Sequence, residues 1–221
     1  MRCAGRMVMG VKCRIAWDVS HLEFTIEDHY YFSRLKARIV ARGGLVEEVG
    51  RIDDAFDYDT LVLNYPEQPF TPREVELVER FVERGGRVVA AGYYRNEDRV
   101  ADNVNTVASV FGLALRDDGV EDQVHNHEGD PLLVVTDRIA RYGLGVDRVL
   151  LPCTASVTAT APEAEAVVMA TASGGGAVLA AEARRGRGSF VLLGTCVFWD
   201  NFSIDRYGNG VFAMNLLFPE P

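Results

Sequence analysis

The chain has 221 residues, 48% hydrophobic and 25% charged, with 23 basic against 32 acidic residues and a formal net charge of -9. That length allows one sizeable α/β core, and the acidic balance argues against a sequence-independent nucleic-acid binder. No apolar run approaches the ~20 residues that would span a bilayer, so no membrane span is expected.

Met1 to Gly10 has basic residues but no apolar signal region. The expectation is a disordered tail over residues 1–10, with Met7 or Met9 as an equal candidate for the start, and one domain over 11–219. Lys12 to Trp17 reads as the first strand, and Asp18-Val19-Ser20-His21-Leu22-Glu23 as its exit loop. Thr25 with Asp28 three residues on resembles a capping box. Tyr31, Phe32, Leu35, Ile39 and Val40 then recur at helical spacing up to Gly43-Gly44. Leu45 to Val49 is a short second strand, followed by an acidic connector.

Asp57 to Asp98 is the best-formed stretch. Leu61-Val62-Leu63 is short and apolar enough for a buried parallel strand. Thr71 is an N-cap, Pro72 suits the first helical position and Glu74 completes a capping box. Phe70 and Val75 fall at the staple positions, and Val75, Val78, Phe81 and Val82 make one apolar face ending at Gly85-Gly86. Arg87 to Gly92 returns as a buried strand, giving a βαβ unit. A polar loop, Tyr93 to Asp98, leads to a helix near Asp102 to Phe111, stopped by Gly112. Asp117 to Asp130 reads as an acidic surface loop.

The last third changes character. Leu132 to Thr136, Arg148 to Leu151, Ser156 to Thr160, Val167 to Ala172 and Ala177 to Arg184 are short β-like runs that read as an antiparallel extension. Gly174-Gly175-Gly176 suits a hairpin turn. Ser189 to Thr195 is another buried strand, and residues 209–218 form a closing helix. No internal repeat or long linker interrupts this order.

Cys3, Cys13, Cys153 and Cys196 are widely spaced with no C-x-x-C pair. This argues against a disulfide framework or closed zinc site and for a reducing, cytoplasmic setting. Neither the Gly174 run nor Gly186-x-Gly188 matches a phosphate-binding loop. His125-x-His127, flanked by Asp122, Glu128 and Asp130, places two imidazoles on one face of a strand and is a candidate metal site. The bland alternative is a solvated acidic loop.

Four pieces together resemble the class I glutamine-amidotransferase-like domain found in gliding-motility and transport-auxiliary proteins and in an intraflagellar-transport subunit. They are a strand ending in Asp18-x-x-His21; Asp59 to Pro66 with Phe70-Thr71-x-x-Glu74 and Gly85-Gly86; Asn103 to Gly112; and Gly186-x-Gly188 with Asp200-Asn201 and the closing helix. The resemblance implies α/β: a three-layer flavodoxin-like parallel sheet, carrying here the antiparallel β extension in the C-terminal third. It also implies that many relatives are binding or assembly modules. Active amidotransferases carry a nucleophilic cysteine on a tight elbow after the central strand, where this chain has Ala91-Gly92-Tyr93-Tyr94. Without a thiolate that reaction has no nucleophile.

In such a sheet the ligand crevice lies beyond the carboxyl ends of the strands. The exits there supply Asp18, His21, Glu23, Tyr65, Glu67, Tyr93, Arg95 and Asn96 as candidate ligand-binding residues. Two functions compete. One is a non-catalytic module binding a small polar ligand or a protein partner, with a homodimer as one form and no cofactor required. The other is a hydrolase or transferase with His21 as base, Asp18 as its orienter and Arg95 neutralising substrate charge, assisted by a divalent metal in one version. Cys196 is a further candidate nucleophile, against which stands the usual burial of cysteine.

Overall fold

The computed structural model describes residues 10–219; the tail expected over 1–10 lies, but for Gly10, outside them. Four strands and two helices alternate first: β1 (Cys13–Asp18), α1 (His29–Ala41), β2 (Gly44–Val49), β3 (Thr60–Asn64), α2 (Pro72–Glu83) and β4 (Arg87–Ala91). Then come α3 (Val100–Ala108), β5 (Leu113–Leu115), β6 (Asn126–His127), β7 (Asp130–Thr136), β8 (Val149–Pro152) and β9 (Val157–Ala159). The chain closes with β10 (Ala164–Met169), β11 (Val178–Arg185), β12 (Gly188–Leu193) and α4 (Asn209–Leu217).

Seven strands form one mixed sheet in the order β10-β11-β12-β4-β3-β1-β2. β2, β1, β3, β4 and β12 run parallel, whereas β11 and β10 pair antiparallel at one edge. Consecutive strand residues point to opposite faces. Ile15, Trp17, Val62 and Val191 therefore pack with Phe32, Leu35 and Ile39 of α1 and Phe212 and Leu216 of α4. Ala16, Leu61, Leu63 and Leu192 pack with Val78, Phe81 and Val82 of α2 and Val104 and Val107 of α3.

Not all of the expected C-terminal runs join the main sheet. β5 and β9 pair as a two-stranded antiparallel sheet, and β6, β7 and β8 form a third antiparallel sheet. The α2 start is as expected: the Thr71 hydroxyl accepts from the Glu74 N–H while the Glu74 carboxylate accepts from the Thr71 N–H. The α1 start moves. Asp28, not Thr25, is the N-cap, its carboxylate accepting from the N–H groups of Tyr30 and Tyr31. A carboxylate within reach of two free N–H groups wins over a hydroxyl one turn earlier. Val40 is 60% exposed, because the buried stripe of α1 runs through Phe32, Leu35 and Ile39. Among the described residues no helix is long and apolar enough to cross a membrane.

Candidate functional site

The parallel strands all deliver their last residues to one end of the sheet, and β1 delivers Asp18. Its carboxylate accepts from the Ser20 N–H (3.1 Å) and hydroxyl (2.7 Å), which tightens the turn, and lies 2.7 Å from His21 Nδ1. Leu22 follows in the left-handed region at φ 60° and is exposed. That reversal brings Glu23 back, so its carboxylate accepts from the His21 N–H at 2.7 Å. Asp18, His21 and Glu23 are all buried.

From the other side comes the start of α2. Glu74 Oε2, already accepting from the Thr71 N–H and hydroxyl at 2.7 Å each, stands 3.5 Å from His21 Nε2. Phe70 lies over the imidazole with ring centroids 3.9 Å apart. The His21 carbonyl accepts from the N–H groups of Glu67 and Gln68. Reading the capping box as a local device misses its second role: Glu74 and Phe70 close the cluster. No sequence spacing signals that, since His21 and Glu74 are brought together only by the sheet.

Burial opposes charge on every member of the cluster, and the outcome differs for each. Burial pushes Asp18 upward, but hydrogen bonds from His21, Glu23 and Ser20 outweigh it and hold the carboxyl below its ordinary value. Burial disfavours the imidazolium of His21, yet Asp18 and Glu74 raise its pKa. Burial together with the neighbouring Asp18 pushes Glu23 up to about 9. The cluster thus favours the carboxylate of Asp18 and the imidazolium of His21, while Glu23 keeps its proton near neutrality. Glu23 Oε1 is buried, accepts no hydrogen bond and lies 3.6 Å from His21 Nδ1. Asp18, His21 and Glu23 each offer one ligand atom, and these atoms lie within 4.8 Å of one another, so the trio can hold a cation in place of that proton.

The remaining predicted crevice residues do not join this cluster. The Tyr65 hydroxyl donates to Asp98 at 2.8 Å, and Tyr65, itself buried, packs edge-on against Tyr93. Burial, then Asp98, raises the Tyr65 pKa; burial, then Cys153, raises that of Tyr93. Glu67 is exposed. Arg95, at φ 54°, stands 3.6 Å from Glu121 and stacks on Tyr94. Asn96 accepts from the Asp102 N–H, bracing the first turn of α3.

What these exits do build is a run of rings. Phe202, Tyr30, Tyr31, Phe24, Tyr65, Tyr93 and Tyr94 follow one another at centroid distances of 4.9–5.9 Å. Tyr30 and Phe202 are 65% and 59% exposed, with Phe24 at 38% and Leu22 beside it at 60%. The rest of the run is half-buried or buried, so its exposed part is the ring surface of Tyr30, Phe202 and Phe24.

Cys196 is buried, and burial raises its thiol pKa far above the range in which a thiolate forms. His125 and His127 turn to different partners. His125 Nδ1 lies 2.9 Å from the Ser173 hydroxyl, whereas His127 Nδ1 lies 3.1 Å from the Tyr207 hydroxyl. Among the described residues, the trio at Asp18 is the one group of three or more such side chains close enough to share a metal. The acidic loop is not all surface. Asp122 is fully buried and accepts from the N–H groups of Val124 and His125 and the hydroxyls of Thr171 and Ser173. A carboxylate that organises its own loop in this way looks, in sequence, like any other acidic residue.

Fold and cluster together define a mixed α/β protein with a sealed carboxylate–imidazole group at the strand exits. The chain belongs to the family described as Domain of unknown function (DUF4350), which matches residues 37–217. It is 45% identical, over 218 residues and 92% of each chain, to an uncharacterized protein of Aquifex aeolicus (strain VF5). Among solved structures it is similar to the mmIFT52 N-terminal domain, with a TM-score of 0.77, 18% identity and coverage of 92% of this chain and 95% of that one. It is also similar to the cytoplasmic protein STM3548 from Salmonella typhimurium, with a TM-score of 0.62, 13% identity and coverage of 93% and 97%.

Proposed function

We propose that this chain is a non-catalytic interaction module on a class I glutamine-amidotransferase-like, flavodoxin-like scaffold, working in a reducing cytoplasm. The observation that carries the reading is the state of His21. It is 4% exposed, has Asp18 at one ring nitrogen and Glu74 at the other, and is covered by Phe70. A general base must reach a substrate proton, and this imidazole has no free nitrogen to offer. The elbow residues Ala91-Gly92-Tyr93 support the same reading, since no cysteine stands there. The sheet order β2-β1-β3-β4-β12, with helices on both faces, is in keeping with the flavodoxin-like class.

The binding face is the aromatic run, and a second copy of the chain is the first partner to test. Analytical ultracentrifugation across concentration is expected to show dimers that a Tyr30→Ser/Phe202→Ser double variant abolishes without loss of folding. A particle that stays monomeric at every concentration refutes the face as a site of self-association. Hydrolytic turnover that disappears in a folded His21→Ala variant refutes the non-catalytic reading.

A second reading rests on the closeness of the three buried side chains, with Glu23 Oε1 accepting no hydrogen bond: Asp18, His21 and Glu23 hold a divalent metal. Elemental analysis of protein purified without chelator, beside a Glu23→Gln variant, tests it. Metal near one equivalent that is lost in the variant supports it, and metal-free protein with no thermal shift on adding zinc or manganese rejects it.

A further inference from the structure

The opposite end of the sheet, where the parallel strands begin, holds a cavity of about 650 Å³. Its volume falls within the range of small-molecule sites. Five arginines line it (Arg42, Arg87, Arg141, Arg184 and Arg187) against one carboxylate, Glu182. That concentration of positive charge stands out in a chain of net charge -9. We propose that this cavity binds a small multivalent oxyanion, a phosphate ester or a polycarboxylate.

Among the described residues, four of the five arginines neutralise no acid; the fifth, Arg141, pairs with Glu182 and, beyond the cavity lining, with Glu165. Glu182 is already taken: Arg141 Nε lies 2.6 Å from one of its oxygens, and the Tyr142 hydroxyl donates to the other at 2.7 Å. Among the described residues, no carboxylate pairs with Arg42, Arg87, Arg184 or Arg187. Arg87 Nη1 donates to the Leu216 carbonyl at the end of α4, and Arg187 Nη2 donates to the Arg84 carbonyl. Arg87 is held over the Tyr142 ring, 5.0 Å from its centroid, and its Nε is buried with no acceptor. Arg42 lies over the Phe218 ring. Guanidiniums fixed by rings and carbonyls keep their remaining N–H groups for carboxylate or phosphate oxygens, which their planar fork binds in bidentate fashion.

The placement follows from the chain order. Arg42 and Arg87 stand beside the glycine pairs Gly43-Gly44 and Gly85-Gly86, and Arg187 stands between Gly186 and Gly188. In a parallel sheet every such strand start falls at the same end. The antiparallel β11 finishes there too, which adds Arg184. A second, smaller cavity of about 380 Å³ shares Gly85, Gly86 and Pro219 with the first and adds Lys12 and Arg84 beside one carboxylate, Asp59.

Isothermal titration of the full chain with inorganic pyrophosphate and, separately, citrate at fixed ionic strength tests the assignment. Saturable one-site binding is expected. An Arg184→Ala/Arg187→Ala variant, altered only at exposed positions, is expected to fold normally and to weaken binding about a hundredfold, roughly tenfold for each guanidinium lost. Binding of pyrophosphate alone places the ligand among phosphate esters, and binding of citrate alone among polycarboxylates. The assignment is overturned if neither anion binds saturably up to millimolar concentration, or if the folded double variant binds with wild-type affinity.

Discussion

Replacing Glu23 with glutamine should make this protein more stable, increasingly so as the pH rises. In the folded chain burial and Asp18 push the Glu23 carboxyl up to about 9, from the 4.5 it has when exposed. Between those values the unfolded chain is ionised there while the folded chain holds its proton. A carboxyl with a raised folded pKa therefore withdraws stability as pH rises through this window. The rate is about 1.4 kcal/mol per pH unit, or about 2.7 kcal/mol between pH 6 and pH 8. For a chain of this size that corresponds to roughly 5–11 °C in Tm. The glutamine of the Glu23→Gln variant keeps the shape and the acceptor for the His21 N–H and has no proton to lose. His21, whose folded pKa is raised, adds its own loss of stability with rising pH, but it does so in both proteins and cancels from the difference. Calorimetric Tm values for wild type and Glu23→Gln at pH 6, 7 and 8 should diverge steadily, with the variant higher. Parallel curves would refute the reasoning, because they would mean that Glu23 is ionised in the folded chain throughout.

Two other substitutions probe what holds the strand exits together. Thr71→Ala removes the acceptor of the Glu74 N–H and one anchor of the Glu74 carboxylate. It should cost about 1 kcal/mol in urea titration, with an unchanged m-value. Asp122→Ala leaves two loop N–H groups and two hydroxyls without their acceptor, and should cost about 3 kcal/mol. Burial opposes the charge on Asp122, but its hydrogen bonds outweigh it and hold the carboxyl well below the usual range. Its contribution is therefore present above the ordinary carboxylate pKa and is lost as pH falls below it. Acid unfolding monitored by circular dichroism should show a gentler dependence in Asp122→Ala than in wild type.

The parts of the fold legible in the sequence are those whose signal is local. The cap and glycine stop of α2 lie within one short stretch, Thr71 to Gly86, and each does in the structure what its chemistry dictates. Likewise Asp18, His21 and Glu23 could be picked out together because one turn carries all three. Glu74 and Phe70 could not be added to them, since their local duties as cap and staple already explain their presence. Of the two small sheets, β7, β8 and β9 read in sequence only as further antiparallel runs, because alternation reports that a strand exists and not which strand it joins. By contrast, β5 falls in no such run and β6 lies in the stretch expected to be an acidic loop. The basic cavity was hidden differently. Its arginines are scattered along the chain and converge only when the strand starts are aligned.

The mixed sheet also decides how a partner can approach. At one border β10 is narrowed by register shifts and touched from outside by an isolated bridge between Ile139 and Val168. At the other, β2 carries exposed Glu47 and Glu48. Irregular pairing and edge charge are both devices that keep open backbone from templating another strand. Neither border invites augmentation, so the proposed protein partner would have to meet side chains, as at the exposed rings Tyr30 and Phe202, and not open backbone.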